Sequence, residues 1–491
     1  MVVTPAGLFF LLAGVVLFWR GSRAIFAGLL FGAAFPSTAV VIVQRFDYGV
    51  QPYQWFAALY LLRAVGEWLW GRVRARPQGT GKHPGLATDG DRRRLAWLVA
   101  AWVATVTLGW ELGAGPARAL SEGGAGGVPR GVELLDPGKR LFHLLYLYAM
   151  VLVAAVAYRE TRACAGLWPR GFGVSSDGAR RAGVLVRAVA GPWLWGAVAA
   201  AAWGGIQLVS HYLGWGYPRL FNDNPTFAMV AGAMAGPLKQ VNSTFPEPSM
   251  YAMFMVPTAL LSAAWANPWL TAALVVSAMA SFSTTGMLGL GVGGVLALAG
   301  SALVPPSRPR RAILWTGTAM VGAALLLAAP GLTAAVTPQA AGGERQALAP
   351  RQGPAYRQHR SVGREIVDAL ARKGVQKGST DSGEERKSAL FGGLKLWLQR
   401  PLLGWGAGTL RTKDLASNTL ANLGIAGFAI LYGSMAWAAW RGLTRGAPIL
   451  ALTLLTVVLL QSAAVPDFVF PYMWLLTGML WGLPEEAWVR A

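Results

Sequence analysis

The sequence predicts an all-α polytopic membrane protein of about 12–13 transmembrane helices, with one long extracytoplasmic loop that contains short amphipathic helices. Three observations carry this expectation. Hydrophobic residues make up 54% of the chain and charged residues only 13%, about half the charge of a typical soluble domain. Apolar runs long enough to cross a bilayer recur along the whole length. The basic residues collect between those runs, as cytoplasmic loops require.

Taken in order, the apolar runs give thirteen expected spans, at about 6–20, 24–43, 53–71, 95–112, 141–158, 184–208, 249–265, 268–282, 286–304, 312–330, 417–438, 447–464 and 467–483. The first has no basic segment before it and no small-residue cleavage site after it, so it reads as a retained helix and not a signal peptide. Asn267-Pro268 breaks the seventh and eighth apart. The single cysteine, Cys164, excludes internal disulfides and thiolate metal clusters. The chain divides into spans 1–10 with basic loops (1–330), a long loop (331–416), and the last spans with a short tail (417–491).

The net charge of +21 sorts by loop. Arg72, Arg74, Arg76, Lys82, Arg92, Arg93 and Arg94 follow span three, and Arg159, Arg162, Arg170, Arg180 and Arg181 follow span five. Arg308, Arg310 and Arg311 follow span nine, and Arg441 and Arg445 follow span eleven. Thirteen spans put all four groups on one side, so the N-terminus is expected outside and the C-terminus inside. The exception is the segment 331–416, which falls outside yet holds fourteen Lys/Arg against seven Asp/Glu. A long loop translocates regardless of charge; this one reads either as a solvated basic loop or as a site for an anionic ligand.

Two amphipathic pieces stand out in that segment. Over 355–375, Val362, Ile366 and Leu370 recur every four residues, while Arg357, Arg360 and Arg364 form a ridge on another face. Beside and within FGGLKLWLQRPLLGWGAGTL, Leu390, Leu394, Trp397 and Leu398 form an apolar face suited to a membrane surface. Pro401 disfavours helical geometry at Arg400, and the glycines of GWGAG permit a compact turn. Arg400, Arg411 and Lys413 are thereby concentrated at the mouth of span eleven. Arginine binds phosphate oxygens in pairs and lysine as a mobile point charge. The competing reading is cations anchoring a helix among lipid headgroups.

Before span seven, Glu247 lies between Pro246 and Pro248, whose rings restrict the backbone and so the reach of the carboxylate. It is a candidate general base or a charge favoured by the helix dipole. Lys239 and Arg219 are further outer-side cations. In SFSTTGMLGLGVGG the glycines predict close helix packing, with a lesser reading of Ser283 or Thr284 as ligand contacts. Arg63 and Glu67, four apart within span three, are expected to form a buried structural pair.

Walker loops and His/Cys metal spacings are absent, so neither ATP hydrolysis nor zinc chemistry has support. Asp89-Gly-Asp91 is the one acidic pair of nucleotide-sugar type, and it sits in a basic loop as solvated charge. His83, His143, His211 and His359 are scattered. No metal, cofactor or nucleic acid is expected.

The stretch LKLWLQRPLLGWGAG resembles the segment of O-antigen ligases and O-antigen polymerases in which a helix ends at a proline before a Leu-Leu-Gly-x-Gly turn. SNTLANLGIAGFAILYG resembles that family's entry into the next span, with Asn418 and the run Gly424 to Gly427. STFPEPSMYAMF resembles the Phe-x-Glu-Pro-Ser element of many polymerases. Ligases of the family carry His-Asn where this chain has Ser417-Asn418, so the Glu-Pro-Ser element points towards a polymerase.

The resemblance implies glycosyl transfer on the outer face of the bacterial cytoplasmic membrane, from an undecaprenyl-diphosphate-linked glycan to a sugar or lipid-linked acceptor. Transfer proceeds with inversion and without metal. Glu247, Arg400 and Arg411 are then the expected catalytic residues. Lys413, Arg357, Arg360, Arg364, Lys239, Arg219 and Asn418 are the expected substrate contacts. Two other readings remain: a flippase or exporter of lipid-linked glycan, which would want ionisable residues at mid-span, and a cell-wall glycosyltransferase of the shape and division type.

Overall fold

A computed structural model describes residues 1–44, 48–74, 96–97, 99–111, 128–166, 177–225, 234–235, 238–304, 308–336, 381–465 and 470–483. The chain is mostly helical. In order, the helices are α1 (Pro5–Arg20), α2 (Ser22–Gly32), α3 (Pro52–Arg74), α4 (residues 99–111), α5 (Pro137–Gly166), α6 (Asp177–Tyr212) and α7 (Pro248–Ser262). They continue with α8 (Pro268–Met279), α9 (Thr284–Ser301), α10 (Arg308–Val336), α11 (Asp381–Gln399), α12 (Leu415–Thr444), α13 (Pro448–Ala464) and α14 (Tyr472–Trp481). Segments within α5, α6, α9 and α12 are long and apolar enough to cross a membrane, and α1, α2, α8 and α13 are shorter apolar helices.

Local signals set many helix starts. Thr4, Asn267, Ser283 and Asp414 accept backbone N–H groups of the first turns of α1, α8, α9 and α12, and proline occupies the first positions of α1, α7, α8 and α13. The largest departure from the expected spans is the second. Its helix stops at Gly32, the backbone turns before Pro36, and the β-branched run that follows forms β2 (Val41–Val43) in a small sheet with β1 (Val2–Val3) and β3 (Tyr48–Val50).

α7 is the centre of the bundle. Every residue from Tyr251 to Ser262 is buried. Trp193 of α6 stacks on Phe254 at 5.8 Å and donates to Thr258 at 3.0 Å, and Phe254 in turn meets Tyr472 of α14 at 5.0 Å. The expected glycine packing is present: Gly294 and Gly317 bring the backbones of α9 and α10 into direct contact, while Gly289 receives Leu460 and Gly293 receives Met320.

Arg63 and Glu67 do pair, at 2.8 Å, but not as a buried pair: their side chains are 27% and 42% exposed. Glu67 also meets Arg159 at 3.5 Å and accepts from Ser22, because the ends of α3 and α5 and the start of α2 converge there. Arg441, expected as a loop cation, is buried, and it donates to the carbonyls of Trp481, the last residue of α14, and Leu483 just beyond it. Arg445 adds a bond to Leu483 at 2.7 Å. Both satisfy orphan carbonyls at a helix C-terminus.

Candidate functional site

α11 lies across one end of the bundle. Arg386 on its second turn donates to the carbonyl of Ala464, the end of α13, and Glu385 pairs with Lys413 at 3.2 Å, just ahead of α12. Near the end of α13, Leu460 packs against Gly289 in the second turn of α9, and a Cβ on Gly286 in the first turn of α9 would touch Ala252 in the second turn of α7. The starts of α7, α9 and α12 therefore share this end with the turn that carries Arg400 and Arg411.

The face of α11 that enters the protein is made of small residues and one leucine. Ala389, Gly392, Gly393 and Leu396 are buried. A Cβ on Gly392 would strike Pro129 and Val132, and one on Gly393 would strike Thr412 and Ser417. The bulky side points away: Leu390, Phe391, Leu398 and Leu402 are 37%, 67%, 68% and 69% exposed. Of the expected apolar face, Leu390 and Leu398 point outward while Leu394 and Trp397 are half-buried, and the opposite face is the one that docks.

Beyond α11 the chain folds into a lock. Trp405 N–H donates to Ala421 C=O at 2.8 Å, and Gly406 N–H to Asn422 C=O at 2.9 Å. Ile425 and Ala426 donate back to Pro401 and Leu402 at 2.8 and 3.2 Å. The exchange works because α12 is interrupted at Gly424, whose φ of 63° and ψ of −166° leave its neighbours' backbone groups unpaired within the helix. Only glycine adopts that geometry readily, and a Cβ there would lie 2.3 Å from the Leu402 carbonyl. The two sequence stretches PLLGWGAG and NLGIAG are complementary halves of one structure.

Asn422 closes the lock. Its side chain accepts from Leu410 N–H at 2.9 Å and donates to Leu410 C=O at 2.8 Å, as a strand would. Asn418, one turn earlier, accepts from Thr412 N–H at 3.3 Å and is 4% exposed. Asn418 thus holds the turn. Asp414 caps α12 through Ser417 N–H at 2.7 Å, and the Ser417 hydroxyl bridges Asp414 and Thr412.

The lock fixes the cations. Arg400 is exposed, with its guanidinium over the Trp405 ring at 4.9 Å, and Trp405 is held by Leu396 C=O. Arg411 is half-buried in β5 (Leu410–Arg411), which pairs antiparallel with β4 (Glu133–Leu134), Arg411 facing Glu133. Lys413 is partly exposed beside Glu385. The ridge of Arg357, Arg360 and Arg364 lies outside the described residues.

A second group forms around Glu247. The carboxylate is half-buried ahead of α7, accepts from Ser249 Oγ at 3.0 Å, and does not cap the helix with its side chain. Lys239 is 2% exposed, with its amine over the Tyr217 ring at 4.6 Å; burial pushes its pKa down. Tyr217 donates to Gln207 and Asn242, and burial raises its pKa to about 12. Arg219 is exposed on the neighbouring loop. Ser283 serves as the cap of α9, accepting from Gly286 N–H at 2.9 Å. Among the described residues no group of His, Cys, Asp and Glu is arranged to hold a metal.

Three residues at this end escape sequence reasoning. Asn422 and Asp414 are hidden in a run read as the approach to a span. Arg140 begins the fifth span, and is 7% exposed with its guanidinium 4.9 Å from the ring of Trp110 at the end of α4. The available signal was the pair Lys139-Arg140, basic residues on the side that the charge rule leaves poor in cations.

No family model, curated protein or solved structure matches the chain.

Proposed function

We propose that the protein is a membrane glycosyltransferase of the O-antigen polymerase or ligase type, acting on the outer face of a bacterial cytoplasmic membrane. The observation that carries the reading is the lock between residues 400–411 and the broken start of α12. It holds Arg400 and Arg411 on rigid backbone beside an exposed apolar face of α11. An isoprenoid diphosphate has matching parts: an apolar tail for the bilayer and a dianionic head for guanidinium groups.

In the proposed reaction, an acceptor sugar hydroxyl attacks the anomeric carbon of a glycan carried on undecaprenyl diphosphate. Glu247 takes the hydroxyl proton as the new C–O bond forms. The bond from the anomeric carbon to the diphosphate breaks with inversion, and the diphosphate leaves with the electron pair. Arg400 and Arg411 stabilise that charge, with Lys413 adding to the local field. Arg357, Arg360, Arg364, Lys239, Arg219 and Asn418 are the wider set proposed to contact donor or acceptor, Asn418 through the turn that it braces. The supporting features are the half-buried carboxylate between two prolines and the fixed cations at the same end of the bundle.

The test is the purified protein in vesicles with a lipid-diphosphate-linked oligosaccharide. New glycosidic bonds, as lengthened chains or a glycosylated acceptor, are expected. Arg400→Ala with Arg411→Ala lowers turnover while the protein stays folded, and Glu247→Gln slows turnover at least about a hundredfold with donor binding kept. Donor movement across the bilayer without new bonds would identify a flippase or exporter instead.

A further inference from the structure

We infer that Arg140 is an oxyanion receptor, built to take a phosphate-class group at the junction of α4, α5 and the 405–408 turn. Arg140 is 93% buried by its 7% exposure, yet among the described residues its Nε and Nη2 atoms have no hydrogen-bond partner. These two nitrogens form the side-on edge of a guanidinium, the pair of donors that grips two oxygens of one phosphate or carboxylate at once. The face of the group is satisfied by Trp110, but the edge is not.

The neighbouring carboxylates do not supply the missing partner. Glu133 and Asp136 are taken by Lys139, at 3.5 and 3.7 Å, and Asp136 also accepts the Lys139 backbone N–H. Glu111, next to Trp110, is exposed, and among the described residues no acidic group makes an ion pair with Arg140. A buried charge without a partner destabilises a fold. An arginine that structure alone required would have its edge bonded.

Its position gives the ligand a setting. A Cβ on Gly408 would touch the Arg140 carbonyl and His143, so the α5 backbone at Arg140 lies against the glycine turn. Gly109 of α4 approaches Leu423 and the backbone of Ala407. Arg140 therefore belongs to the same end of the bundle as Arg400 and Arg411. It differs from them in being enclosed, which makes it the cation best placed to hold a desolvated oxyanion. That the group is a diphosphate rests on the glycosyltransferase reading; that it is an oxyanion does not.

The experiment titrates inorganic pyrophosphate into the full-length protein in phosphatidylcholine nanodiscs, measuring affinity and thermal unfolding together. The wild type is expected to bind and to be stabilised. Arg140→Lys, which keeps the charge but lacks the edge, is expected to bind at least about tenfold more weakly, and Arg140→Met more weakly still. Without ligand, Arg140→Met is expected to be no less stable than the wild type, because it removes an unpaired charge.

Equal pyrophosphate binding by Arg140→Met overturns the inference, and so does an unliganded Arg140→Met that unfolds earlier, since that marks a structural guanidinium. Phosphatidylglycerol discs separate the sources. If the oxyanion is a headgroup, these discs alone stabilise the wild type and not Arg140→Met, and they compete with pyrophosphate. If it is the leaving diphosphate, pyrophosphate binding is unchanged. No binding in either disc overturns the inference altogether. Pyrophosphate binding without turnover of the lipid-linked donor would sink the glycosyltransferase reading alone, and full turnover by Arg140→Met would overturn the assignment of Arg140 to the leaving diphosphate alone.

Discussion

At the scale of single residues, the site is organised by side chains that imitate backbone. Asn422 gives Leu410 the two bonds that a neighbouring strand would give, from within a helix and at 2% exposure. Asn422→Ala leaves the Leu410 N–H and C=O buried without partners, so it is expected to cost about 2–4 kcal/mol, read as a lower unfolding temperature in detergent. The asparagine legible in sequence was Asn418, because it sits in the recognisable entry to the span. Asn422 was not, because nothing in its local pattern announces a bond to a residue twelve positions earlier. Lys239 is a different case, a cation found by sequence whose burial was not. Its folded pKa lies below the ordinary value near 10.5, so the unfolded chain holds the proton more tightly. Stability is then expected to rise with pH through the alkaline window between the two pKa values. The rise should vanish in Lys239→Met; unfolding temperature against pH for both proteins is the check, and parallel curves would show that the amine is not the group concerned.

At the scale of elements, helix existence was legible because apolar runs, prolines and caps are local. What escaped was where a run is broken by a partner elsewhere in the chain. The second expected span loses everything after Gly32 to turns and β2, and α12 holds a non-helical residue that its composition does not reveal. The glycines of GWGAG were legible as a turn, but the turn's other half lies beyond Asn418, and only the fold joins them. Similarly, α11 showed Leu390 and Leu398 plainly, while most of its docking face, Ala389, Gly392 and Gly393 beside Leu396, carries little hydrophobic signal. Two glycines in α12 make the distinction testable. Gly424→Ala forces a Cβ into the Leu402 backbone and a side chain into a region that only glycine tolerates, a loss of about 3–5 kcal/mol. Gly433→Ala adds a Cβ where nothing lies within 4 Å, and should be neutral or stabilise by up to about 1 kcal/mol. Thermal unfolding of the two variants measures the contrast, and similar losses at both would mean that the lock does not hold.

At the scale of the whole molecule, the arrangement poses the question of sidedness. The end that carries α11, Arg140, Arg400 and Glu247 is rich in fixed cations, and an enzyme that meets its lipid-linked donor outside must turn this end outward. The loop charges predict that orientation, since the Arg-rich connections fall at the opposite end. The two ends offer matched reporters: Leu402 in the turn is 69% exposed, and Leu303, just past the far end of α9, is 68% exposed. The sole cysteine, Cys164, is buried, so Cys164→Ser supplies a background free of thiols. In that background, Leu402→Cys should react with a membrane-impermeant maleimide on intact cells. Leu303→Cys should react only after the membrane is opened. The reverse pattern would place the cationic end in the cytosol, where a donor displayed outside cannot reach it. The glycosyl-transfer reading would then fall, while the lock, which rests on contacts within the chain, would stand.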